Sequence, residues 1–313
     1  MRGRERTGAL LRIETPAWQG FADCHPWTEL GDPSLADQLS CLAAGRPLAL
    51  AARSLEHARA DGEARARGRS AFDGLTVPAS HLLCSDIVTL TADGIDAAAA
   101  IGYRRVKAKV GRDWPAELAC LVRLLPKFQT NKIQLRLDFN ASAPGGSAAW
   151  SDVPKALREL LDFIEDPCPW SAGAWRELSD AGAPLAFDRP DPGLSPAVAY
   201  GQDARAFSTV VLKPAVQDVL KLARDLPAVR LAVTSYLDHP LGQASAAREA
   251  ARLAGELPAH RLLIGGLRSE TAYEASEFSD ALGPAGPAFP APEGTGLGFD
   301  LLLERLPWKE LTA

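Results

Sequence analysis

The chain has 313 residues, of which 47% are hydrophobic and 23% charged, so it is long enough for a large globular domain and a smaller one. Its formal net charge of −5 argues against nucleic acid or an anionic membrane surface as the main partner. The sequence contains no run of eighteen apolar residues and no apolar stretch after its charged start, so we expect a cytoplasmic protein without a signal peptide. Five cysteines without metal-type spacing favour reduced thiols.

The first 75 residues predict a small α+β unit. Its predicted elements are strands at 9–14 and 20–23 and helices at 35–44 and 48–68. Between them lies a loop, 25–32, that is rich in turn-forming and aromatic residues, including Trp27. This loop is either a lid over a pocket or an ordinary ordered turn.

From about residue 76 strands and helices alternate, which is typical of a (β/α)8 barrel. The predicted strands lie at 79–84, 105–110, 133–140, 161–166, 184–188, 209–213, 229–236 and 260–266, and the helices at 93–101, 114–128, 148–161, 172–181, 216–225 and 242–257. The tail contains a glycine run, 294–300, that does not link a strand to a helix, so we reject it as a phosphate-binding loop. We therefore predict a capping domain at 1–75, a catalytic barrel at 76–270, and a segment at 271–313 that packs back on the capping domain.

The strand at 105–110 carries a lysine at every second position. Because side chains alternate along a strand, Lys107 and Lys109 share one face. Taken alone, this pattern is typical of a solvated edge strand, since two ammonium groups are costly to bury. The residues that follow at regular spacing favour a different interpretation.

Four later strands each carry a charged residue near their end. These residues are Asp138, Glu165, Asp188 and Lys213, and they follow Lys109 at steps of 29, 27, 23 and 25 residues. In a (β/α)8 barrel the C-terminal ends of the strands meet at one mouth, so these charges would converge on one pocket. Three carboxylates would repel one another without a cation, but together they form an oxygen-rich site suited to Mg²⁺.

These residues resemble those of the enolase superfamily, and within its muconate-lactonizing-like subgroup they resemble the o-succinylbenzoate synthase family of menaquinone biosynthesis. The resemblance covers nearly the whole chain and is carried by Lys107-Ala-Lys109 and by the stretches 22–32, 135–140, 211–214, 234–240 and 294–300. Two departures stand out. The first strand begins near residue 9, about one strand short of the family pattern, and Arg189 follows Asp188 where many relatives have an acidic residue, so the outer shell of the metal could differ.

The resemblance implies three groups of site residues. The implied metal ligands are Asp138, Glu165 and Asp188, which would bind Mg²⁺ or Mn²⁺ in its place. The implied catalytic residues are Lys109 as acid and base, Lys213 as a cation on the opposite side, and Lys107, which sets up the surroundings of Lys109. The implied substrate-binding residues are Arg136, Asn140, Ser235, Gly265 and Gly266, with Trp27 in the lid.

The chemistry implied is the dehydration of 2-succinyl-6-hydroxy-2,4-cyclohexadiene-1-carboxylate to o-succinylbenzoate by a carbon-oxygen lyase. A proton α to a carboxylate is weakly acidic, and Mg²⁺ on the carboxylate oxygens would stabilise the enediolate intermediate. A neighbouring lysine and a metal would both lower the pKa of the base, Lys109. Because Lys109 would take the proton and then protonate the departing hydroxide, the elimination would be syn.

Other functions remain open at this stage. The same two lysines suit an N-acylamino acid racemase or dipeptide epimerase, a lysine could form a Schiff base as in barrel aldolases, and a degenerate barrel could act as a binding scaffold. The expected partner is a small-molecule carboxylate, and the chain could be a monomer or a dimer. The five histidines lack ligand spacing and are interpreted as structural or second-sphere, with His239 nearest the mouth.

Overall fold

The computed structural model describes residues 5–143, 150–189, 191, 193–269 and 272–312. The chain begins with an antiparallel pair of strands, β1 (Ala9–Glu14) and β2 (Gln19–Cys24), followed by α1 (Leu35–Ala43) and α2 (Ala49–Ala66). Helix α2 lies directly on β2, and the contact requires glycine, because a Cβ at Gly20 would come within 1.9 Å of the Ala58 carbonyl oxygen.

Seven parallel strands follow in sequence order around a curled sheet. The strands are β3 (Leu82–Cys84), β4 (Arg105–Lys109), β5 (Gln134–Asp138), β6 (Leu161–Glu165), β7 (Leu185–Phe187), β8 (Thr209–Leu212) and β9 (Arg230–Val233). The helices between and after them are α3 (Ala92–Ile101), α4 (Trp114–Thr130), α5 (Lys155–Arg158), α6 (Ala172–Asp180), α7 (Pro196–Gln202), α8 (Val219–Asp225) and α9 (Pro240–Glu256). Short helices α10 (Glu277–Asp280) and α11 (Asp300–Glu304) lie in the tail. The predicted α/β barrel with a capping unit is confirmed.

The predicted eighth strand, 260–266, forms single bridges rather than a continuous ladder. Gly265 accepts a hydrogen bond from the backbone N–H of His81 at 2.7 Å and donates one to the Ala79 carbonyl at 2.9 Å. On its other side, the N–H of Gly266 donates to the Val233 carbonyl at 2.9 Å. These bonds join β9 to the start of β3 and close the ring.

One helix prediction was wrong in part, and one helix was missed. The single helix predicted at 148–161 is interrupted at Pro154, which precedes the short helix α5, and its last residue already belongs to β6; residues 148 and 149 lie outside the described part of the chain. Proline restrains the residue before it to extended backbone, so the break has a local cause. Helix α7 was not predicted, although Pro196 stands in its first turn and Ser195 caps it.

The tail returns to the first unit through buried polar contacts. The fully buried carboxylate of Asp61 accepts from the backbone N–H groups of Phe21 at 2.8 Å and Leu297 at 2.6 Å. Arg65 donates to the Gly298 carbonyl at 2.9 Å. Helix α2 thus joins the first sheet to the tail, while the domain boundaries at 75 and 270 stay predictions.

The barrel interior holds a small apolar layer beneath the mouth, made by Phe163, Ala186, Val211 and Ala232. The main core lies outside the strands, between the sheet and its helices. Within the part of the chain described here, no helix has both the length and the apolar character needed to cross a bilayer.

Candidate active site

The charged residues predicted at the strand ends come together at the barrel mouth. In the sheet register, Lys109 of β4 pairs with Asp138 of β5, and Asp138 pairs with Glu165 of β6. Lys107 is only 8% exposed and β4 lies inside the sheet, so the alternative of a solvated edge strand is wrong. Neighbouring parallel strands therefore present their charges to the same interior space.

Lys107 provides the cation at the centre of the cluster. Its Nζ lies 3.0 Å from Asp138 Oδ2 and 2.6 Å from Glu165 Oε1. Burial disfavours the charged form, but the surrounding carboxylates outweigh it and raise the pKa of Lys107, which therefore stays protonated. Burial alone would also raise the pKa of Asp138, but Lys107 and Lys109 lower it to about 2. In contrast, burial raises the pKa of Glu165 to about 7, against the opposing effect of Lys107.

The other two lysines flank the cluster from different strands. Lys109 Nζ lies 3.5 Å from Asp138 Oδ2 and 3.5 Å from Asn140 Oδ1. Lys213, which follows β8, forms an ion pair with Asp188. Because β4 and β8 lie on opposite sides of the ring, the two ammonium groups face one pocket from opposite walls.

Two observations bear on whether the three carboxylates could bind a divalent cation. Among the described residues, no group of three or more His, Cys, Asp or Glu side chains is arranged as a metal site, since lysines bond the carboxylates. However, Glu165 Oε2 and Asp188 Oδ1 are buried and have no hydrogen-bond partner. Unpaired carboxylate oxygens in a buried cluster are the hard donors that Mg²⁺ prefers, so these residues fit the metal.

Most of the predicted substrate-binding residues lie at this pocket. Trp27, Asn140, Ser235 and Gly266 line it. Gly265 lies behind the wall, where its backbone closes the barrel. Arg136 does not line the pocket; it is fully buried beneath it, and its Nε donates to Asp162 Oδ2 at 2.8 Å.

The loop predicted as a lid lies over the pocket through Trp27 and Leu30. Arg6 anchors it, since its guanidinium donates to the carbonyls of Pro26 in the loop at 3.2 Å and of Leu237 in the barrel at 2.7 Å. Arg189 donates to the Leu30 carbonyl at 2.8 Å. The loop is therefore held to the barrel by arginine side chains rather than by apolar packing alone.

Sequence reasoning missed the role of Asp166. Its buried carboxylate accepts from the backbone N–H groups of Asp188 at 2.9 Å and Arg189 at 2.8 Å. Burial and the charges of Asp188 and Glu165 raise the pKa of Asp166 well above its usual range. The Arg189 side chain turns toward the lid and contacts Tyr236, away from the carboxylate cluster. The adjacent acidic pair at 165–166 was the only sequence signal for this arrangement.

The histidines are placed differently from the sequence interpretation. His239 caps helix α9 and lies beside His25 in a neighbouring cavity. His81, which nothing in its local sequence marks, lines the pocket itself.

Comparison with known proteins gives consistent results. Residues 1–64 match a family model described as O-succinylbenzoate synthase, N-terminal domain. The chain is 35% identical to the o-succinylbenzoate synthase of Bdellovibrio bacteriovorus, over 98% of this chain and 92% of that protein. Among solved structures, it resembles a dipeptide epimerase from Enterococcus faecalis V583 with a TM-score of 0.73, 15% identity and 93% coverage of both chains. It also resembles the muconate lactonizing enzyme of Pseudomonas putida with a TM-score of 0.71 and 17% identity, over 94% of this chain and 92% of that one.

The capped α/β barrel is the fold of the muconate-lactonizing-like enzymes of the enolase superfamily, and enzymes of that superfamily generally bind Mg²⁺. The solved structures establish the fold alone. The 35% identity to the Bdellovibrio bacteriovorus protein extends over nearly the full length of both chains and shows the family. The chain belongs to the o-succinylbenzoate synthase family and is an enzyme, a carbon-oxygen lyase.

Proposed function

We propose that this enzyme is an Mg²⁺-dependent dehydratase that converts 2-succinyl-6-hydroxy-2,4-cyclohexadiene-1-carboxylate to o-succinylbenzoate in cytoplasmic menaquinone biosynthesis. The observation that carries the proposal is the placement of Lys109 and Lys213 on opposite walls of one pocket, with three carboxylates on the strands between them. Membership of the o-succinylbenzoate synthase family supports the substrate, a small-molecule carboxylate.

Asp138, Glu165 and Asp188 would hold Mg²⁺, and the unpaired oxygens of Glu165 and Asp188 support this assignment. When bound, Mg²⁺ stabilises negative charge on the oxygens of the substrate carboxylate and so makes the α proton more acidic. Lys107 stays cationic between two of these carboxylates and limits their mutual repulsion.

Lys109 acts as the base and then as the acid. Its neutral Nζ takes the proton α to the carboxylate, and the electrons of the broken C–H bond pass first onto the carboxylate oxygens. They then form the new ring double bond as the C–O bond to the hydroxyl group breaks. The Lys109 ammonium then gives its proton to the departing oxygen, so that water leaves and the ring becomes aromatic. One side chain serves both steps, so hydrogen and hydroxyl leave from the same face.

Lys213 acts from the opposite wall as a cation. Its ammonium, paired with Asp188, faces the other side of the substrate and stabilises the negative charge that develops there. Asn140 Oδ1, at 3.5 Å from Lys109 Nζ, supports the orientation of the base. The lid residue Trp27 closes the pocket and restricts the access of water to the reacting atoms.

The test is an ultraviolet assay of aromatisation with and without Mg²⁺, on the wild type and on Lys109→Ala. We expect Mg²⁺-dependent turnover that falls by about 10² to 10⁴ or more in the variant, the range for loss of a general base. Lys127→Ala is the matched control, because Lys127 pairs with Asp96 on the exposed surface far from the pocket. A wild type without turnover, or a Lys109→Ala variant at the wild-type rate, contradicts the proposal.

A two-base racemase of N-acylamino acids is the second candidate, because lysines on both faces of a pocket are what such a reaction needs. The family match favours the synthase. Exchange of the α proton of N-succinylamino acids in D₂O, without aromatisation activity, would reverse this preference. Trapping of substrate on a lysine by borohydride would instead indicate a Schiff-base enzyme.

A further inference from the structure

His81 lies at the floor of the pocket, just before β3, and is 5% exposed. Its Nδ1 is 3.0 Å from Nη1 of Arg136. A guanidinium group can only donate hydrogen bonds, so Nδ1 must be the acceptor. The imidazole is therefore neutral and carries its proton on Nε2.

Arg136 is held rigidly in the position that imposes this tautomer. Its Nε and Nη2 both lie 2.8 Å from Asp162 Oδ2, and its guanidinium stacks over the Phe163 ring at 4.5 Å. The side chain is fully buried, so it has no room to turn away from His81. Asp162 and Phe163 thus fix Arg136, and Arg136 fixes the ring of His81.

The other edge of the His81 ring is available to a ligand. No described residue forms a hydrogen bond with Nε2. This edge lies against Gly266. A Cβ at position 266 would come within 2.7 Å of Nε2, so only glycine leaves room there for the imidazole ring of His81. Beside it, the buried hydroxyl of Thr234 also has no hydrogen-bond partner. Two adjacent polar groups without partners in a pocket wall indicate a place for an oxygen acceptor.

We propose that His81 is a substrate-binding residue that donates its Nε2–H to an oxygen of the succinyl arm, and that Arg136 is the positioning residue that fixes its tautomer. The assignment rests on the function proposed above. The position of His81 favours the succinyl arm as its partner. In the barrel, β3 lies opposite β7, and the segment that contains Gly266 lies opposite β6. The carboxylate cluster occupies β5 to β7, so the ring carboxylate of the substrate binds there and the arm extends toward His81.

The kinetic test compares His81→Asn with His81→Gln. The amide nitrogen of glutamine reaches the place of Nε2, whereas that of asparagine reaches only the place of Nδ1. We expect His81→Asn to raise KM for the substrate and to lower kcat/KM tenfold or more, with a smaller change in kcat, and His81→Gln to restore most of kcat/KM. Equal losses in the two variants, or a wild-type kcat/KM in His81→Asn, overturn the proposal.

The structural test is ¹⁵N NMR of the wild type labelled at its five histidines. The signal absent from His81→Gln belongs to His81. We expect the neutral pattern with the proton on Nε2, a shift of Nε2 when o-succinylbenzoate is added, and a mixture of tautomers in Arg136→Met, which removes the donor to Nδ1. A proton on Nδ1, or an Nε2 signal indifferent to o-succinylbenzoate, overturns the proposal. A wild type without aromatisation activity is a different failure, since it refutes the proposed function while the tautomer is still measured directly.

Discussion

Replacing Lys107 by methionine removes the cation that lies between two buried carboxylates. Lys107 Nζ is 3.0 Å from Asp138 Oδ2 and 2.6 Å from Glu165 Oε1. The three side chains are only 10%, 4% and 2% exposed, so water cannot replace the lost ammonium. Methionine has similar length and leaves little empty volume, so the change tests charge more than packing.

The expected loss follows from the burial of the partners. Removing one member of a buried ion pair typically costs about 3–5 kcal/mol, because the remaining charge is left without compensation. Here two carboxylates are left facing each other, so we expect a loss of roughly that size in the free energy of unfolding. In the proposed function Mg²⁺ would bind the native state through the same carboxylates, so it should restore more stability in the variant than it adds to the wild type.

The measurement is urea unfolding of both proteins in a chelator and in Mg²⁺. Lys127→Met is the matched control: Lys127 Nζ is also 2.6 Å from a carboxylate, that of Asp96, but both side chains are 43% exposed. An exposed pair contributes about 1 kcal/mol or less. If Lys107→Met and Lys127→Met lose the same amount, or if Mg²⁺ stabilises Lys107→Met no more than the wild type, the reasoning is refuted.

Two further predictions concern His57, where helix α2 contacts the barrel, and Arg189, which contacts the lid. His57 contacts the Pro214 carbonyl at 3.1 Å, and burial lowers the pKa of its imidazole to about 4. Between about pH 6.5 and about pH 4 only the unfolded chain takes up this proton, so the wild type should lose stability as the pH falls through this range. His57→Gln should reduce this loss by up to about 3 kcal/mol in urea unfolding at pH 7 and pH 4, and an unchanged pH dependence would contradict the assignment. Arg189→Met removes the donor to the Leu30 carbonyl and the contact with Tyr236, so it should loosen the lid and raise KM several-fold while far-ultraviolet circular dichroism stays the same; an unchanged KM would show that the lid closes without this arginine.

The fold and the convergence of charges could be predicted because both repeat along the sequence. The steps between Lys109, Asp138, Glu165, Asp188 and Lys213 match one strand, one helix and two loops, and a barrel topology turns that period into proximity. Alternation within β4 put Lys107 and Lys109 on one face, as the structure shows. Period and alternation are local properties, so a single sequence contains them.

The contacts that hold the site could not be predicted in the same way. His81, Arg136 and Asp162 come from three separate parts of the chain, and their pairing depends on the relative heights of neighbouring strands. Arg136 differs from Asp138 by two positions on the same strand face, so alternation places both inside the barrel but does not say which one reaches the mouth. Which of these two side chains reaches the mouth depends on strand tilt and on the apolar layer that contains Phe163, and both are tertiary properties.

The formal charges of the cluster give a reason for its three lysines. While Lys109 still carries its proton, before it acts as the base, the ammonium groups of the three lysines balance the formal charges of Asp138, Glu165 and Asp188. The pocket can then exist without a large uncompensated charge in a buried place. The proposed substrate carries two carboxylates, and Mg²⁺ carries two positive charges, so the two together leave the balance unchanged. Either one alone would leave two charges uncompensated against low-dielectric walls. Mg²⁺ and the substrate should therefore each favour the binding of the other, because charge neutrality of the filled pocket requires both.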